Sequence, residues 1–448
     1  MATLTFQTLR FSDHKDGLHV TFMKYYSFIL THDALAKIGK WSATENAITF
    51  DVPEKRLKHK FYVLLEEGFK NLEGILTRKK TFYIHQNAGI PLLGTRFIGI
   101  QDRATNFLEI KPVTGCTMGC TFCSVDEGIG SKKSYDFIVE REYLVNETRK
   151  LLEYKNCDNI HIYINVHGEP LLYAEIVLLV EDLKKLQGVK EITIITTAAL
   201  LTKEMVDDLA VAGLTELNVS ISADDITAAK QVMGNPAYSI ANVKKIVTYA
   251  AKKLHVTIAP VWMNGINDAE MEKIISFGKE IGCPVRIQKF CHNKFGRNPV
   301  EEISWDEFFK KIAVLEKKTG VKLKAGFSIP VSSKGLQKFS KSVENHEETG
   351  DRPKRSEHTT QSLVVDDRSP VDEDTEKYTL EKTKEYPVPF KRREILEAQI
   401  VSPGRYFHEK LCVARERLIS VPMCKTQSGK VKIRILKTTH NIIVAEEV

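Results

Sequence analysis

The sequence predicts an α/β protein whose central parallel sheet lies between two smaller domains. Residues 107–320 alternate short apolar strands with amphipathic helices, and this alternation is typical of a parallel sheet covered by helices. A charged stretch, 331–386, then separates the alternating region from a C-terminal segment of closely spaced short strands. These observations divide the 448-residue chain into a large central domain, a linker and a small β domain, with a further domain at the N-terminus.

The central domain, predicted over residues 101–330, consists of strand–helix units. The strand candidates are Phe107–Val113, His161–His167, Glu191–Thr197, Glu216–Ser222, His255–Trp262 and Pro284–Phe290. The helix candidates are Arg141–Lys155, Tyr173–Gln187, Lys203–Ala212, Ser239–Lys253, Asp268–Ile281 and Ser304–Thr319. Right-handed crossovers wind such units into an open or partial barrel, so we expect a partial (βα)6 TIM-like barrel. Sites in such sheets form at the carboxyl ends of the strands.

The N-terminal segment and the linker have different patterns. Residues 1–100 predict an α+β domain, with strands over Leu18–Leu30 and Ala47–Val52 and a helix over Lys60–Thr77. Residues 331–386 have few large apolar side chains and predict a flexible charged linker. A partner-recognition tail is the alternative for this stretch.

Residues 387–448 return to a β pattern. The strand candidates are Glu397–Ser402, Leu411–Ala414, Arg417–Val421, Lys430–Lys437 and Asn441–Glu446. Five short strands in so few residues predict a small β-barrel of the OB-like kind.

The composition is that of a globular protein, with 42% hydrophobic and 27% charged residues. Eight cysteines in this length do not form the framework of a secreted disulfide-rich protein. The first residues lack the basic and apolar regions of a signal peptide, and no apolar run reaches the length of a membrane span. We therefore expect a cytoplasmic protein that makes no contact with a membrane. The formal charge of +7 says little about partners by itself.

Three cysteines, Cys116, Cys120 and Cys123, form a C-x3-C-x2-C motif just after the first central strand. A [4Fe–4S] cluster normally takes four cysteine ligands, so three would leave one iron open to a substrate or cofactor. A structural zinc site and three ordinary cysteines are the alternatives. Zinc prefers four closed ligands, often as two C-x2-C pairs, and no second pair stands at the right spacing.

This motif, with Phe122 before its last cysteine, resembles the signature of the radical S-adenosylmethionine (radical SAM) superfamily. The resemblance implies that Cys116, Cys120 and Cys123 bind a [4Fe–4S] cluster whose free iron chelates S-adenosylmethionine. It also implies reductive cleavage of that cofactor to a 5′-deoxyadenosyl radical, with the electron coming from an external ferredoxin- or flavodoxin-like donor.

Later strand ends resemble the cofactor-binding positions of the same superfamily. Gly168 and Glu169 stand where its glycine-glutamate motif receives the methionine ammonium, although His167 replaces the first glycine of that motif. The other positions implied by the resemblance bind the carboxylate, the ribose and the adenine of S-adenosylmethionine. They are Thr197 and Ser220 for the carboxylate, Ser222 for the ribose, Met263 in a Met-x-Gly-x-Asn-Asp turn, and Gln288 and Phe122 near the adenine. Serine and threonine are common at strand ends for structural reasons as well, and Phe122 could simply be a core residue.

The whole layout resembles an archaeal group of radical SAM proteins known as predicted Fe–S oxidoreductases. The resemblance to this group does not imply a particular reaction for this chain. Methylthiotransferases resemble it too, but they hold a second cluster with three N-terminal cysteines, and residues 1–115 contain none. Among the spare cysteines, Cys291 follows the last central strand and is the candidate for a catalytic thiol. Buried, inert cysteine is the commoner role of such residues.

The substrate prediction comes from the charge of the C-terminal segment. Residues 387–448 hold twelve Lys and Arg against six Glu and no Asp, which is nearly the whole excess charge of the chain. Basic OB-like barrels commonly bind phosphate backbones, and this segment resembles the TRAM domain of tRNA-modifying enzymes. The first hypothesis is therefore radical modification of tRNA or rRNA held through 387–448. The alternatives are a protein, peptide or small-metabolite substrate with the barrel as an assembly module, and a non-catalytic cluster-bearing scaffold.

Overall fold

The computed structural model describes residues 1–323 and 380–448. The predicted linker, 331–386, lies outside the described residues except for its last seven, 380–386. None of the helices in the described ranges combines the length and the apolar character that crossing a bilayer would need.

The N-terminal part contains both strands and helices. Its strands are β1 (Ala2–Thr5), β2 (Leu9–His14), β3 (Gly17–Phe22), β4 (Tyr26–Thr31), β5 (Trp41–Ala43), β6 (Ala47–Phe50), β7 (Glu73–Gly74) and β8 (Lys80–Ile84), and its helices are α1 (His32–Ala36) and α2 (Glu54–Phe69). Helix α2 buries Leu57, Phe61 and Leu65, which recur every four residues on one face. The helix predicted over Lys60–Thr77 begins and ends earlier than expected, because the chain after Phe69 enters a turn, the short strand β7 and a second turn.

The central part follows the predicted alternation of strands and helices. Its strands are β9 (Gly99–Asp102), β10 (Phe107–Lys111), β11 (Tyr135–Val139), β12 (Ile160–Ile164), β13 (Val189–Thr196), β14 (Glu216–Val219), β15 (His255–Ile258), β16 (Val261–Trp262) and β17 (Gln288–Lys289). Its helices are α3 (Arg141–Lys155), α4 (Ile176–Lys184), α5 (Lys203–Val211), α6 (Ile226–Met233), α7 (Ile240–Ala250), α8 (Asp268–Glu280) and α9 (Trp305–Thr319).

Five of these strands, β10, β12, β13, β14 and β15, pair in parallel and in chain order, and β9 adds an antiparallel edge. The predicted strand His255–Trp262 is divided into β15 and β16, and the predicted strand Pro284–Phe290 shrinks to β17 and a bridge between Ile258 and Val285. The sheet carries the carboxyl ends of its parallel strands at one edge, where the cysteine motif follows β10. Winding of this sheet into a TIM-like partial barrel stays a prediction.

Strand β11 joins the central part to the N-terminal layer. It follows the cysteine loop and pairs in parallel with β8, so that it completes the six-stranded sheet β11-β8-β7-β4-β3-β2. No pattern in the sequence predicted this strand. The cysteine loop is consequently held at both ends by sheets, by β10 before it and by β11 after it.

The C-terminal part is a closed five-stranded barrel with its own apolar core. Its strands are β18 (Ile395–Pro403), β19 (Lys410–Ala414), β20 (Arg417–Val421), β21 (Lys430–Lys437) and β22 (Val444–Glu447). The barrel contacts the central part at Gly94, whose carbonyl accepts a hydrogen bond from the Ile443 N–H at 2.7 Å. A β-carbon on Gly94 would lie 1.8 Å from the Leu418 carbonyl oxygen, so this close approach needs glycine. The barrel is confirmed, whereas its OB-like or TRAM-like type stays a prediction.

Residues 380–386, the end of the predicted linker, pack against the central part. The Asn106 N–H donates to the Glu381 carbonyl at 3.0 Å, and the Tyr386 N–H donates to Asp102 at 3.1 Å. The Lys155 ammonium, which is fully buried, joins this segment to the sheet by contacting Asp102 at 2.8 Å and Thr383 at 2.6 Å. This segment thus enters the C-terminal barrel from a fixed position on the sheet.

Candidate active site

The cysteine loop between β10 and β11 wraps closely around the end of helix α6. The Gly119 N–H donates to the Met233 carbonyl at 3.0 Å, and the Thr121 N–H donates to the Val232 carbonyl at 2.9 Å. The loop also closes on itself at Gly128, where a β-carbon would lie 1.8 Å from the Met118 carbonyl oxygen. These backbone contacts fix the path of the loop without help from a bound group.

Cys116, Cys120 and Cys123 are half-buried and line one cavity of about 490 Å³. The Met118 N–H donates to Cys116 Sγ and the Glu127 N–H donates to Cys123 Sγ, each at 3.3 Å. Hydrogen bonds of this kind stabilise thiolate charge and tune the potential of iron–sulfur clusters. Without a bound cation, burial raises the pKa of the Cys116 thiol well above its usual range and that of Cys120 to about 12.

The three thiols fit an iron–sulfur cluster. Within residues 1–323 and 380–448, no three His, Cys, Asp or Glu side chains are grouped closely enough to hold a single metal ion. In a cubane cluster each cysteine binds a different iron, so ligands spread around one cavity suit that group. Buried thiols become good ligands once the positive charge of the irons replaces their protons.

Gly168 brings the end of β12 against the start of the cysteine loop. Its φ is +148°, and a β-carbon would lie 1.9 Å from the Gly115 carbonyl oxygen. The same oxygen accepts the Glu169 N–H at 2.8 Å, and the Gly115 N–H donates to the His167 carbonyl at 3.2 Å. Gly168 itself lines the cavity, so its missing side chain both permits this contact and leaves room for a ligand.

Glu169 is placed differently from a simple cavity-lining carboxylate. It is 1% exposed and does not line the cavity. Its carboxylate accepts hydrogen bonds from the Thr196 hydroxyl and from the N–H and hydroxyl of Thr197, the latter two at 3.0 and 2.6 Å. Burial raises the pKa of Glu169, and these hydrogen bonds oppose the rise. The carboxylate therefore fixes the end of β13, and its predicted contact with the methionine ammonium stays a prediction.

The other predicted cofactor residues fall into two groups. One group lines the cavity together with the cysteines, and it consists of Phe122, Gly168, Thr197, Ser220 and Gln288. The second group, Ser222 and Met263, is buried behind the cavity wall. Ser222 Oγ accepts the Val261 N–H at 3.1 Å, and Met263 Sδ lies 3.6 Å from the Thr121 hydroxyl. These two residues support the wall and the cysteine loop, and nothing in their position shows direct contact with a cofactor.

Sequence reasoning missed Arg297 as a residue of this site. Its guanidinium donates to the Cys120 carbonyl at 3.1 Å, to Asp126 at 2.7 Å and to the Ile129 carbonyl at 2.7 Å. Arg297 thereby fastens the second half of the cysteine loop to the segment after β17. A glycine–arginine pair just beyond the last central strand was the available signal.

The floor of the cavity is polar and charged, which was also not predicted. Glu109 on β10 contacts both Arg103, at 2.6 Å, and Lys111. Burial lowers the pKa of Lys111, while the neighbouring Glu109 carboxylate opposes that change. Asn218 lines the same cavity, and its buried Oδ1 has no hydrogen-bond partner among the described residues. A ligand with an N–H or O–H donor would satisfy that oxygen.

Cys291 lies at the cavity wall, as the strand order predicted. Its Sγ is 3.6 Å from the Lys289 ammonium, which itself contacts Glu302 at 3.0 Å. Burial raises the pKa of Cys291, and the neighbouring Lys289 ammonium opposes the rise. The other spare cysteines lie away from the cavity, with Cys412 and Cys424 buried in the C-terminal barrel. Cys291 thus remains the catalytic candidate.

Comparisons with known proteins show the family of this chain. The family model of the radical SAM superfamily matches residues 110–278. The uncharacterized protein MJ0103 of Methanocaldococcus jannaschii is 31% identical over 400 residues, which cover 84% of this chain and 82% of that protein. A GTP 3′,8-cyclase of Peptoclostridium acidaminophilum is 30% identical over 223 residues. That match covers 48% of this chain and 65% of the cyclase, so the chain spans somewhat less than two thirds of the cyclase.

Two solved structures show a weak similarity to this chain. Streptococcus suis SuiB bound to S-adenosylmethionine has a TM-score of 0.38 and 15% identity, covering 72% of each chain. TYW1 with a lysine-pyruvate adduct bound has a TM-score of 0.36 and 13% identity, covering 69% of this chain and 86% of that one. The match to MJ0103 extends over most of both chains, and the family model covers the cysteine loop with the sheet that carries it. The chain belongs to the radical SAM superfamily and is an enzyme that uses a [4Fe–4S] cluster and S-adenosylmethionine.

Proposed function

We propose that this enzyme modifies an RNA, tRNA or rRNA, which it holds through its C-terminal barrel. The observation that carries the proposal is the basic outer face of β21. Along this strand Val431, Ile433 and Ile435 are buried, whereas Lys430 and Lys432 are exposed. The alternation directs positive charge outward in a row, spaced as a strand spaces its side chains.

A second basic segment lies beside this row. Residues 391–393 are Lys-Arg-Arg and all three are exposed. The Arg393 N–H donates to the Ile435 carbonyl at 2.8 Å, which places the segment next to β21. Lys430 and Glu397 form an ion pair at 3.8 Å, and both side chains are exposed. Because exposed ion pairs contribute little free energy, Lys430 can leave Glu397 and bind a phosphate instead.

The number of basic residues counted from the sequence is larger than the number on the surface of the barrel. Arg405, Lys410 and Arg417 are buried, and they donate to Glu127, to Gln427 and to the Pro387 carbonyl, respectively. Eight of the twelve basic residues are exposed. These are Lys391, Arg392, Arg393, Arg415, Lys425, Lys430, Lys432 and Lys437.

Two apolar side chains on the barrel loops support the same proposal. Phe407 is 68% exposed and Met423 is 73% exposed. Their loops are joined by a hydrogen bond from the Cys424 N–H to the His408 carbonyl at 2.9 Å. Exposed aromatic rings beside basic residues are the usual platform for stacking unpaired bases. Phe407 is also two residues from Arg405, which reaches the cavity-lining residue Glu127.

In this proposal separate residues hold the cluster, hold the cofactor and react with the substrate. Cys116, Cys120 and Cys123 would hold the cluster, and Thr197 and Ser220 would hold S-adenosylmethionine at the strand ends. The bound cluster and cofactor supply a 5′-deoxyadenosyl radical, with an electron from an external ferredoxin- or flavodoxin-like donor. The apolar part of the cavity wall, including Phe122, would exclude water. The Cys291 thiol would give its hydrogen atom to the substrate radical, and the thiyl radical left behind would return to the thiol by taking up a proton and a second electron from the external donor.

Salt-dependent binding of RNA to the full chain tests the proposal. Replacing both Lys430 and Lys432 with Gln should weaken binding and reduce the slope of log K against log salt by about 1.4–1.8, the value for two lost phosphate contacts. The matched control replaces Lys55 and Lys58, which are exposed on α2, and should leave the slope unchanged. Equal slopes in both double variants would contradict a role of β21.

Nucleoside analysis of a deletion strain then addresses the reaction itself. Loss of one modified nucleoside from tRNA or rRNA, restored by the wild-type gene and not by a Cys120→Ala variant, is the expected result. Unchanged profiles of both RNAs would contradict RNA modification.

The charged floor of the cavity favours a second candidate, a protein, peptide or small polar metabolite as substrate. Glu109 and Asn218 both line the cavity, and a few polar groups in a largely apolar pocket are what orients a small ligand. In that case RNA would not stimulate formation of 5′-deoxyadenosine, and a fraction of small molecules or peptides from the cell would. An Asn218→Leu variant should lose that stimulation while it keeps RNA binding.

A further inference from the structure

One arginine of the C-terminal barrel is buried inside the central part. Arg405 lies in the loop between β18 and β19 and is 2% exposed. Its Nη2 donates to both carboxylate oxygens of Glu127, at 2.7 and 2.6 Å, and its Nη1 donates to Asp136 at 2.9 Å and to the Thr114 hydroxyl. A planar guanidinium can contact two carboxylates at once, which an ammonium cannot do with the same geometry.

The three acceptors lie before, within and after the cysteine loop. Thr114 stands two residues before Cys116, Glu127 stands four residues after Cys123, and Asp136 lies in β11, where the loop ends. The Ser134 N–H also donates to the Arg405 carbonyl, at 2.8 Å. One side chain from a distant part of the sequence therefore fastens the start, the end and the second half of the loop.

Glu127 connects this contact to a cluster ligand. Its N–H donates to Cys123 Sγ at 3.3 Å, and its side chain is 2% exposed. Lys133 contacts the same carboxylate, so two cations and two carboxylates are buried together. If Arg405 is removed, Lys133 can neutralise Glu127, but Asp136 loses the cation that it contacts.

The loop of Arg405 is itself held in shape for this contact. The Arg405 N–H donates to Glu409 at 2.8 Å, and Glu409 also accepts from the Ser420 hydroxyl of β20. A β-carbon at Gly404 would lie 2.2 Å from the Glu409 side chain, so a larger residue there would displace that side chain. The barrel thus presents the guanidinium on a rigid turn.

We infer that Arg405 is a positioning residue for the cluster: the C-terminal barrel supplies it to fix the Cys123 end of the cysteine loop through Glu127. The barrel is then a part of the cluster site as well as a candidate RNA-binding domain. This inference does not depend on RNA being the substrate. It requires only that Cys116, Cys120 and Cys123 hold the cluster.

The test compares three variants of the full chain after anaerobic reconstitution of the cluster. Arg405→Gln removes the cation, Glu127→Gln removes one of its carboxylate partners at nearly constant shape, and Arg417→Gln is the matched control. Arg417 is also a buried arginine of the barrel, but it donates to the Pro387 carbonyl at 2.6 Å and packs on Tyr386, away from the cysteine loop.

The first readout is the rate at which a chelator removes iron from the oxidised protein. We expect Arg405→Gln and Glu127→Gln to release iron at least tenfold faster than the wild type, and Arg417→Gln to stay within twofold. The second readout is the reduction potential of the cluster. Loss of a nearby cation should lower the potential in Arg405→Gln, whereas loss of a nearby anion should raise it in Glu127→Gln.

The two readouts separate positioning from general stability. Shifts of opposite sign in the two variants cannot come from loosened packing alone. Wild-type iron release in both variants, or equal acceleration in Arg417→Gln, would overturn the inference and leave Arg405 as an ordinary contact between domains. If Arg405→Gln does not fold, Glu127→Gln and the control decide the question by themselves.

Discussion

Replacing Gly168 with Ala tests whether the end of β12 and the cysteine loop form one unit. An alanine β-carbon would lie 1.9 Å from the Gly115 carbonyl oxygen and 2.7 Å from the Gly115 nitrogen, and both are backbone atoms that cannot rotate away. The variant can be accommodated only if the two segments separate. Separation would break the hydrogen bonds from Glu169 N–H to Gly115 and from Gly115 N–H to His167.

The size of the effect follows from these two contributions. A residue other than glycine at this φ of +148° costs about 1–3 kcal/mol in backbone strain. Each lost hydrogen bond costs about 0.5–1.5 kcal/mol. The free energy of unfolding should therefore fall by about 2–6 kcal/mol, and the cysteines should move relative to Thr197 and Ser220.

Gly130→Ala is the matched control on the same loop. Gly130 also has a left-handed φ, of +77°, but nothing lies within 4 Å of the position of its β-carbon. Only the backbone penalty of about 1–2 kcal/mol applies there. Thermal unfolding and S-adenosylmethionine binding by calorimetry should separate the two variants, with binding lost in Gly168→Ala and kept in Gly130→Ala. Equal stability and equal binding in the two variants would refute the proposed contact.

Three further predictions follow from contacts around the same sheet. Lys155→Met should lower the free energy of unfolding by about 3–5 kcal/mol, because it leaves the buried Asp102 carboxylate without its cation. The control Lys150→Met, on the exposed face of α3, should change it by less than about 0.5 kcal/mol. Similar free energies of unfolding for the two variants in a urea titration would contradict this prediction. Thr197 lines the cavity, and Thr197→Val removes the hydroxyl that donates to Glu169 at 2.6 Å. The variant should bind S-adenosylmethionine about tenfold more weakly, or by about 1.4 kcal/mol. An unchanged Kd would place the cofactor elsewhere. Removal of iron by a chelator should leave the far-ultraviolet circular dichroism unchanged, because backbone hydrogen bonds to helix α6 hold the cysteine loop. Loss of the helical signal would show that the fold depends on the cluster.

The parallel sheet and the cysteine loop could be predicted because their signals are local. The helix predicted over Arg141–Lys155 has the bounds of α3, since its buried leucines recur at helical spacing. Helix α6 was missed although Asp225 caps its N-terminus and Gly234 follows its C-terminus in a left-handed conformation. At eight residues the helix is too short to show a clear apolar period.

Contacts between distant segments could not be predicted in this way. Strand β11 looks like part of a loop until its partner β8 is known, because its residues are buried on both faces rather than alternating. Arg405 was counted as surface charge for RNA, since a single arginine in a basic segment gives no sign that Glu127 and Asp136 will bury it. The contact of Glu169 with the cofactor stays a prediction, whereas the hydrogen bonds that its carboxylate accepts from Thr196 and Thr197 could not be predicted from the sequence.

The most direct test of the account is the iron content of cysteine variants together with their ability to cleave S-adenosylmethionine. The wild type should bind about four irons per chain and form 5′-deoxyadenosine when reduced. Cys116→Ala, Cys120→Ala and Cys123→Ala should each lose both properties, whereas Cys291→Ala, at the same cavity, should keep the iron. A Cys120→Ala protein that still holds about four irons and still cleaves the cofactor would contradict the assignment of the cluster to this loop.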